Sequence, residues 1–180
     1  MVKTVIFSAL GLLLLAAVFI LLLAARQPDT FRVQRTATIA APPERVFAMI
    51  NDLQQMNRWN PFVKKDPAIK GRYQGPASGP GAGYEFSGNS EVGTGSLRIV
   101  DAAAPSRVAM KLLMSAPMQA DNDIVFSLAP EGPATRVTWS MEGPCPFIGK
   151  LMGVVFNMDR MVGGAFEQGL ADLKAQAEKA

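Results

Sequence analysis

The spacing of hydrophobic and polar positions switches several times along this chain, and each switch marks an element. Thr4 to Ala25 has no period at all. The run carries no charge, is mostly Leu, Ala, Val, Ile and Phe, and is bracketed by Lys3 and Arg26. As a helix it rises roughly 33 Å, enough to cross the hydrocarbon core of a bilayer. It exceeds the apolar stretch of about 7–15 residues typical of a cleaved secretory signal, so an uncleaved anchor is the expectation, even though Leu23-Ala24-Ala25 loosely resembles a cleavage site. Gln27-Pro28-Asp29 follows as a linker, because a residue before proline avoids helix. The pattern predicts residues 1–28 as a transmembrane anchor and linker, with the span at about 4–25, and residues 29–180 as one domain.

Phe31, Val33, Ala37 and Ile39 alternate with polar residues, the period of a half-buried strand, with Arg35 the exception on the apolar side. Pro42-Pro43-Glu44 opens a helix, since proline suits the first turn and an acid there favours the dipole. Val46, Phe47, Ile50 and Leu53 continue it, Asn51-Asp52 breaks it, and a short turn carrying Met56 and Trp59 ends at Asn60-Pro61. Short strands are predicted near Lys70–Gln74 and Gly83–Ser87. Leu97 and Ile99, Val108 to Met114, Ile124 to Leu128 and Val137 to Met141 then supply four more. Ala104-Pro105-Ser106 and Pro130-Glu131-Gly132-Pro133 provide turns. Apolar positions from Ile148 to Leu173 step by three and four, which predicts one long helix over Phe147–Glu178. Asp159 falls on its apolar face, and Gly163-Gly164 in its middle calls for a bend or a close backbone approach. This order is α+β: a curved antiparallel sheet of seven strands around a long C-terminal helix.

Charge changes the picture little. The net is +3 and the pI about 9.2, but without Lys3 and Arg26 the domain is nearly balanced. No stripe of Arg and Lys with interleaved aromatics occurs, so no nucleic-acid partner is expected. Lys64, Lys65, Lys70 and Arg72 form a basic group near the anchor that suits either anionic headgroups or ordinary solvated surface. The expected location is a membrane, single-pass, in a bacterial inner membrane. The face on which the domain lies stays open, because large domains translocate largely regardless of flanking charge.

The chemistry is defined mainly by what is missing. The chain has no histidine and one cysteine. That removes Ser-His-Asp and Cys-His nucleophilic systems and any His- or Cys-rich metal site, so no metal and no cofactor are expected. Cys145, between two prolines, reads as a turn residue. Gly143 to Lys150 fails as a phosphate loop on its spacing. Gly79-Pro-Gly-Ala-Gly83 leads into a strand and is no dinucleotide fingerprint. It reads as a flexible loop, with a lid over a cavity mouth as the alternative. Asp159 is the one candidate acid/base: unpaired on an apolar face it would have a raised pKa, whereas a partner would make it structural. Tyr84 and Glu85 are candidates to share a polar pocket end with it.

Several segments, taken together, resemble a known superfamily. They are Phe31-Arg-Val-Gln-Arg, Ile39-Ala-Ala-Pro-Pro-Glu-Arg-Val-Phe47, Trp59-Asn-Pro-Phe62 with Asp66-Pro67, Tyr84 to Gly95, Thr135 to Gly143, and Met158-Asp-Arg-Met161 with Phe166 to Leu170. In this order, over residues 30–178, the chain resembles the SRPBCC superfamily, which shares the START-like helix-grip fold. It is similar above all to the membrane-anchored branch of the polyketide cyclase/dehydrase-like group. The resemblance implies a cavity between sheet and helix for a hydrophobic small molecule or lipid, and it does not choose among carriers, receptors and cyclases. The expected lining is Trp59, Tyr84, Phe86, Met110, Leu112, Phe126, Trp139, Met141, Met152, Val155, Asp159, Val162 and Phe166. The expected function is a membrane-anchored binding domain for such a guest in an internal cavity, with catalysis left open. The alternatives are a cyclase- or dehydratase-like enzyme using Asp159, and an interaction protein using the outer sheet face.

Overall fold

The computed structural model describes the backbone of residues 2–155 and 158–179, and the side chains of these except at 2–6, 8, 9, 155 and 158. Its contacts separate two compact units, one made of residues 1–31 and 144–158, the other of residues 32–143 and 159–180.

The first unit contains α1 (Val2–Ala25) and α5 (Phe147–Val155). The two helices pack together, and Lys150 Nζ pairs with Asp29 Oδ1 at 2.5 Å. Large apolar side chains of α1, from Phe7 to Leu23, are exposed. Among the described residues no helix is long and apolar enough to cross a membrane; described side chains of α1 run unbroken only from Leu10 to Ala25.

The second unit is built on a seven-stranded sheet of order β1-β7-β6-β5-β4-β3-β2. Its strands are β1 (Thr30–Ile39), β2 (Lys70–Gln74), β3 (Gly83–Ser87), β4 (Thr94–Ala103), β5 (Arg107–Ala116), β6 (Ala120–Glu131) and β7 (Ala134–Pro144). Each successive pair from β2 to β7 is antiparallel. Between β1 and β2 lie α2 (Pro43–Asn51), α3 (Leu53–Trp59) and α4 (Pro61–Lys64). The break foreseen at Asn51-Asp52 is a cap: Asp52 Oδ1 accepts from the backbone N–H groups of Gln54 and Gln55. Asn60-Pro61 does more than stop a helix. Asn60 caps α4, whose first residue is Pro61, so one dipeptide ends α3 and starts a further turn that the sequence reading did not foresee.

The C-terminal helix of this unit is α6 (Met158–Ala177). The single helix expected over Phe147–Glu178 is therefore described as two segments in different units. α5 carries the same three-and-four spacing as α6, but it leaves Phe147, Ile148 and Met152 exposed. Periodicity shows that a face is apolar and does not name the surface that face meets. α6 is seated against the sheet by Phe166, which stacks on Trp139 at 4.0 Å and 8°. At its far end, Lys174 Nζ donates to Thr38 O and Glu178 accepts from the Ala40 N–H. The seven-stranded sheet and C-terminal helix fit the helix-grip fold.

Candidate functional site

Inward-facing residues of β3 to β7 alternate along each strand, as the pleat requires. In register they form cross-strand rows: Leu97 beside Leu112, Met110 beside Ile124, Ile124 beside Met141, Phe126 beside Trp139. Between part of this face and α6 lies a cavity of about 260 Å³. The sheet contributes Tyr84, Phe86, Leu97, Leu112, Met114, Ile124, Trp139 and Met141; α6 contributes Val162 and Phe166; α3, α4 and the residue between them add Met56, Asn60, Phe62 and Val63. Ser90, Glu91 and Val92 complete one side, with Ile69 and Pro117. The volume lies just below the roughly 300–1,000 Å³ usual for small-molecule sites, so the cavity suits a small or medium-sized guest.

The Ser90–Val92 side is held by a carboxylate that the sequence did not single out for this role. Asp66, almost fully buried, accepts from Asn89 N at 2.7 Å and from Ala68 N at 3.0 Å. Asn89 Oδ1 in turn accepts from the backbones of Glu91 and Val92. Gly79–Gly83, the lid alternative, is absent from the lining of this cavity. Its backbone is tied down instead, with Gly79 N donating to Asn51 O and Gly81 N to Ile99 O.

Of the expected lining residues, Tyr84, Phe86, Leu112, Trp139, Met141, Val162 and Phe166 meet at the cavity. Trp59, Met110 and Phe126 do not, because they are packed solid in the core. Trp59 meets Phe126 and Trp139 edge-on at 5.9 and 5.8 Å, and its indole N–H is satisfied by Met49 O. Met152 belongs to α5 and is not part of the lining. The side chain of Val155 lies outside the described residues.

Asp159 follows the partnered alternative and leaves the expected lining. It is exposed, with 60% of its side-chain surface accessible, and it is absent from the lining. Arg35 donates to both of its carboxylate oxygens, at 3.0 and 2.9 Å, and to Glu167 Oε1 at 2.6 Å. The hydrogen bonds from Arg35 hold the Asp159 carboxyl below its ordinary value, the opposite of a poised acid. Arg35, the charge that interrupted β1's apolar alternation, and Asp159, the charge on α6, are thus partners. Gly163 completes the arrangement: a Cβ there would overlap the Arg35 guanidinium. Close approach, one of the two explanations offered for the glycine pair, accounts for this position. Glu85 is likewise exposed and pairs with Arg72, so no polar pocket end forms around it. Burial raises the pKa of Tyr84, which keeps its hydroxyl neutral. In the basic group, Lys64 pairs with Asp172 and Lys65 lies over the Phe62 ring.

Comparison with known proteins agrees with this geometry. The family described as polyketide cyclase / dehydrase and lipid transport matches residues 30–178. No curated protein matches the chain. Among solved structures, protein CV1439 from Chromobacterium violaceum is 19% identical at a TM-score of 0.60, over 86% of this chain and 100% of that one. The Aha1 dimer from Colwellia psychrerythraea is 16% identical at 0.56, over 83% and 97%. The di-domain ARO/CYC BexL from the BE-7585A biosynthetic pathway is 14% identical at 0.62, over 88% of this chain and 53% of that one. Identities this low establish a shared fold. Coverage of most of the chain by the family, on a helix-grip sheet with a cavity beneath its terminal helix, gives the assignment: the chain belongs to the polyketide cyclase / dehydrase and lipid transport family, within the SRPBCC superfamily.

Proposed function

We propose that this protein is a binding domain for a hydrophobic small molecule or lipid, held at a membrane by α1. The observation that carries the binding half is the cavity wall, whose lining residues are apolar or aromatic except for Asn60, Ser90 and Glu91. Such a surface recognises apolar area and has little with which to direct a reaction. The membrane half rests on the uncharged run Thr4–Ala25 within a helix of 24 residues, about 36 Å long, that is apolar on every side. The cyclase reading loses its acid/base, because Asp159 stands outside the cavity and is neutralised by Arg35.

Native mass spectrometry of the full chain, with solvent extraction of whatever it carries, tests the binding half. The expected result is an apolar guest in the wild type that is lost in Ile124→Phe, which fills the cavity. A chain that carries nothing and takes up no added alkyl ketone sinks the reading. Asp159→Asn should leave binding intact. For the anchor, the full chain should remain with membranes after a carbonate wash; release into the supernatant rejects it.

A further inference from the structure

α5 turns apolar side chains outward as well as inward. Its nine residues carry one charge, Lys150. Leu151 and Val154 are half-buried, whereas Phe147, Ile148 and Met152 are exposed, Ile148 to 53%. Ile148 and Met152 stand one turn apart and share a face. A helix apolar all round belongs in a protein core or in lipid. α5 is about 14 Å long, half the thickness of a hydrocarbon core of about 30 Å, so it fits within one leaflet and does not span.

The lone charge is no obstacle to lipid. Lys150 Nζ pairs with Asp29 Oδ1, and the lysine side chain is only 11% exposed while that of Asp29 faces outward. The backbone is tied at the same place, with Cys145 N donating to Asp29 O at 2.7 Å. The entry to α5 is therefore fastened just past the end of α1. The helix that α5 packs against is α1 itself. On α1, Ala24 is buried and Ile20, one turn earlier, is half-buried, while Leu21, Leu22 and Leu23 are exposed. Ile20 and Ala24 share one face of α1. They lie within the uncharged run Thr4–Ala25, so a helix packed beside them shares the depth of that run.

Resting on the anchor reading above, we propose that α5 is a second membrane element. It lies in the leaflet from which α1 emerges, with Phe147, Ile148 and Met152 among the acyl chains and the Lys150–Asp29 pair at headgroup level. The occupant of its exposed face is lipid. A single span takes its tilt and rotation from the helices and interfacial groups packed against it. α5, fastened through Asp29, supplies that support.

The test uses the full chain in vesicles of phosphatidylcholine and phosphatidylglycerol. Nitroxide labels are placed at Ile148→Cys, Met152→Cys and, in mid-span, Leu14→Cys, each in a Cys145→Ser background. Collisions with oxygen and with a water-soluble nickel chelate are then read. The expected result is that the labels at 148 and 152 favour oxygen, as the label at 14 does. If either α5 label favours the chelate while the label at 14 favours oxygen, the inference is overturned and the anchor reading stands. An α5 label shielded from both reagents, with an immobilised spectrum, means that protein covers this face, and it overturns the inference too. If the label at 14 favours the chelate, the anchor reading falls and takes the inference with it. The wild-type chain decides the matter even if a labelled variant fails to fold. With a phospholipid bearing a diazirine on its acyl chain, carbene adducts should map to residues 147–152 as well as to α1; adducts confined to α1 overturn the inference.

Discussion

The inner face of the sheet has a solid part and a hollow part, made from the same kinds of residue. In the solid part, Ile99, Val108, Met110 and Phe126 are buried, α2 with its buried Val46 and Ile50 packs on β5 and β6, and Trp59 meets Phe126 edge-on. In the hollow part, Leu97, Leu112, Ile124 and Met141 face open volume. Neighbours in one cross-strand row fall on different sides of the divide: Met110 is packed, and its partner Ile124 lines the cavity. Alternation along a strand therefore selects a face, while the covering layer decides whether that face is filled. α2 reaches β5 and β6, whereas opposite the hollow part the cavity is bordered by residues of α3 and α4, the Ser90–Val92 segment, and Val162 and Phe166 of α6.

The largest effect that would test this contrast is Phe126→Ala. Removing a ring from the solid part should cost about 3–5 kcal/mol in chemical denaturation. Ile124→Ala should cost nearer 2 kcal/mol, since part of its surroundings is already empty. Equal losses would mean that the two parts are not packed differently. Overpacking should sort them the opposite way. Met110→Phe should lose about 1–3 kcal/mol, while Ile124→Phe should be nearly neutral in stability and abolish binding. A smaller contrast concerns the glycine pair of α6. Gly164 has open space beside it, so Gly164→Ala should gain close to 1 kcal/mol from helix propensity. Gly163→Ala should fall short of that gain, because its methyl group displaces Arg35. Identical melting temperatures for the two variants would contradict the close approach. The smallest effect is on pH. Asp159, held by Arg35, and Glu178, held by the Ala40 N–H and then by Lys174, both have lowered pKa values. Their contribution is complete above the unfolded-state values near pH 4 and is lost as pH falls through the lower folded values. Asp159→Asn should flatten the acid limb of a melting-temperature profile and leave the neutral limb unchanged in slope.

Much of the fold was legible because period-2 alternation and turn chemistry are local signals. The bounds of β2 and β3, the start of α2 at Pro43 and the turn between β6 and β7 all follow from them. The cavity was legible only by half. Tyr84, Phe86, Leu112, Trp139, Met141, Val162 and Phe166 were found, Leu97, Met114 and Ile124 on the same strands were left out, and Trp59, Met110 and Phe126 were included, because facing inward and facing a void leave the same trace in sequence. Met56, Phe62 and Val63 were missed because α3 and α4 are too short for a period to emerge, and Ser90 to Val92 because nothing local distinguishes a loop that borders a cavity. Asp159, open in the sequence between a poised acid and a partnered carboxylate, is the partnered one, and it was placed in the expected lining for a different reason. Its partner, Arg35, lies 124 positions away, although both residues stood out in their own segments as charges on apolar faces. Two such anomalies in one chain, each a charge on an apolar face, are a signal that each satisfies the other.

The guanidinium laid across Gly163 has a mechanical consequence. Asp159, Gly163 and Glu167 recur every fourth residue, so Arg35 engages one narrow stripe of α6 and no other. The contact works as a detent: it sets the angle at which the helix is clocked about its own axis, and that angle in turn aims Val162 and Phe166 at the void. A salt bridge on the outside of the domain thereby holds the ceiling of the chamber in place.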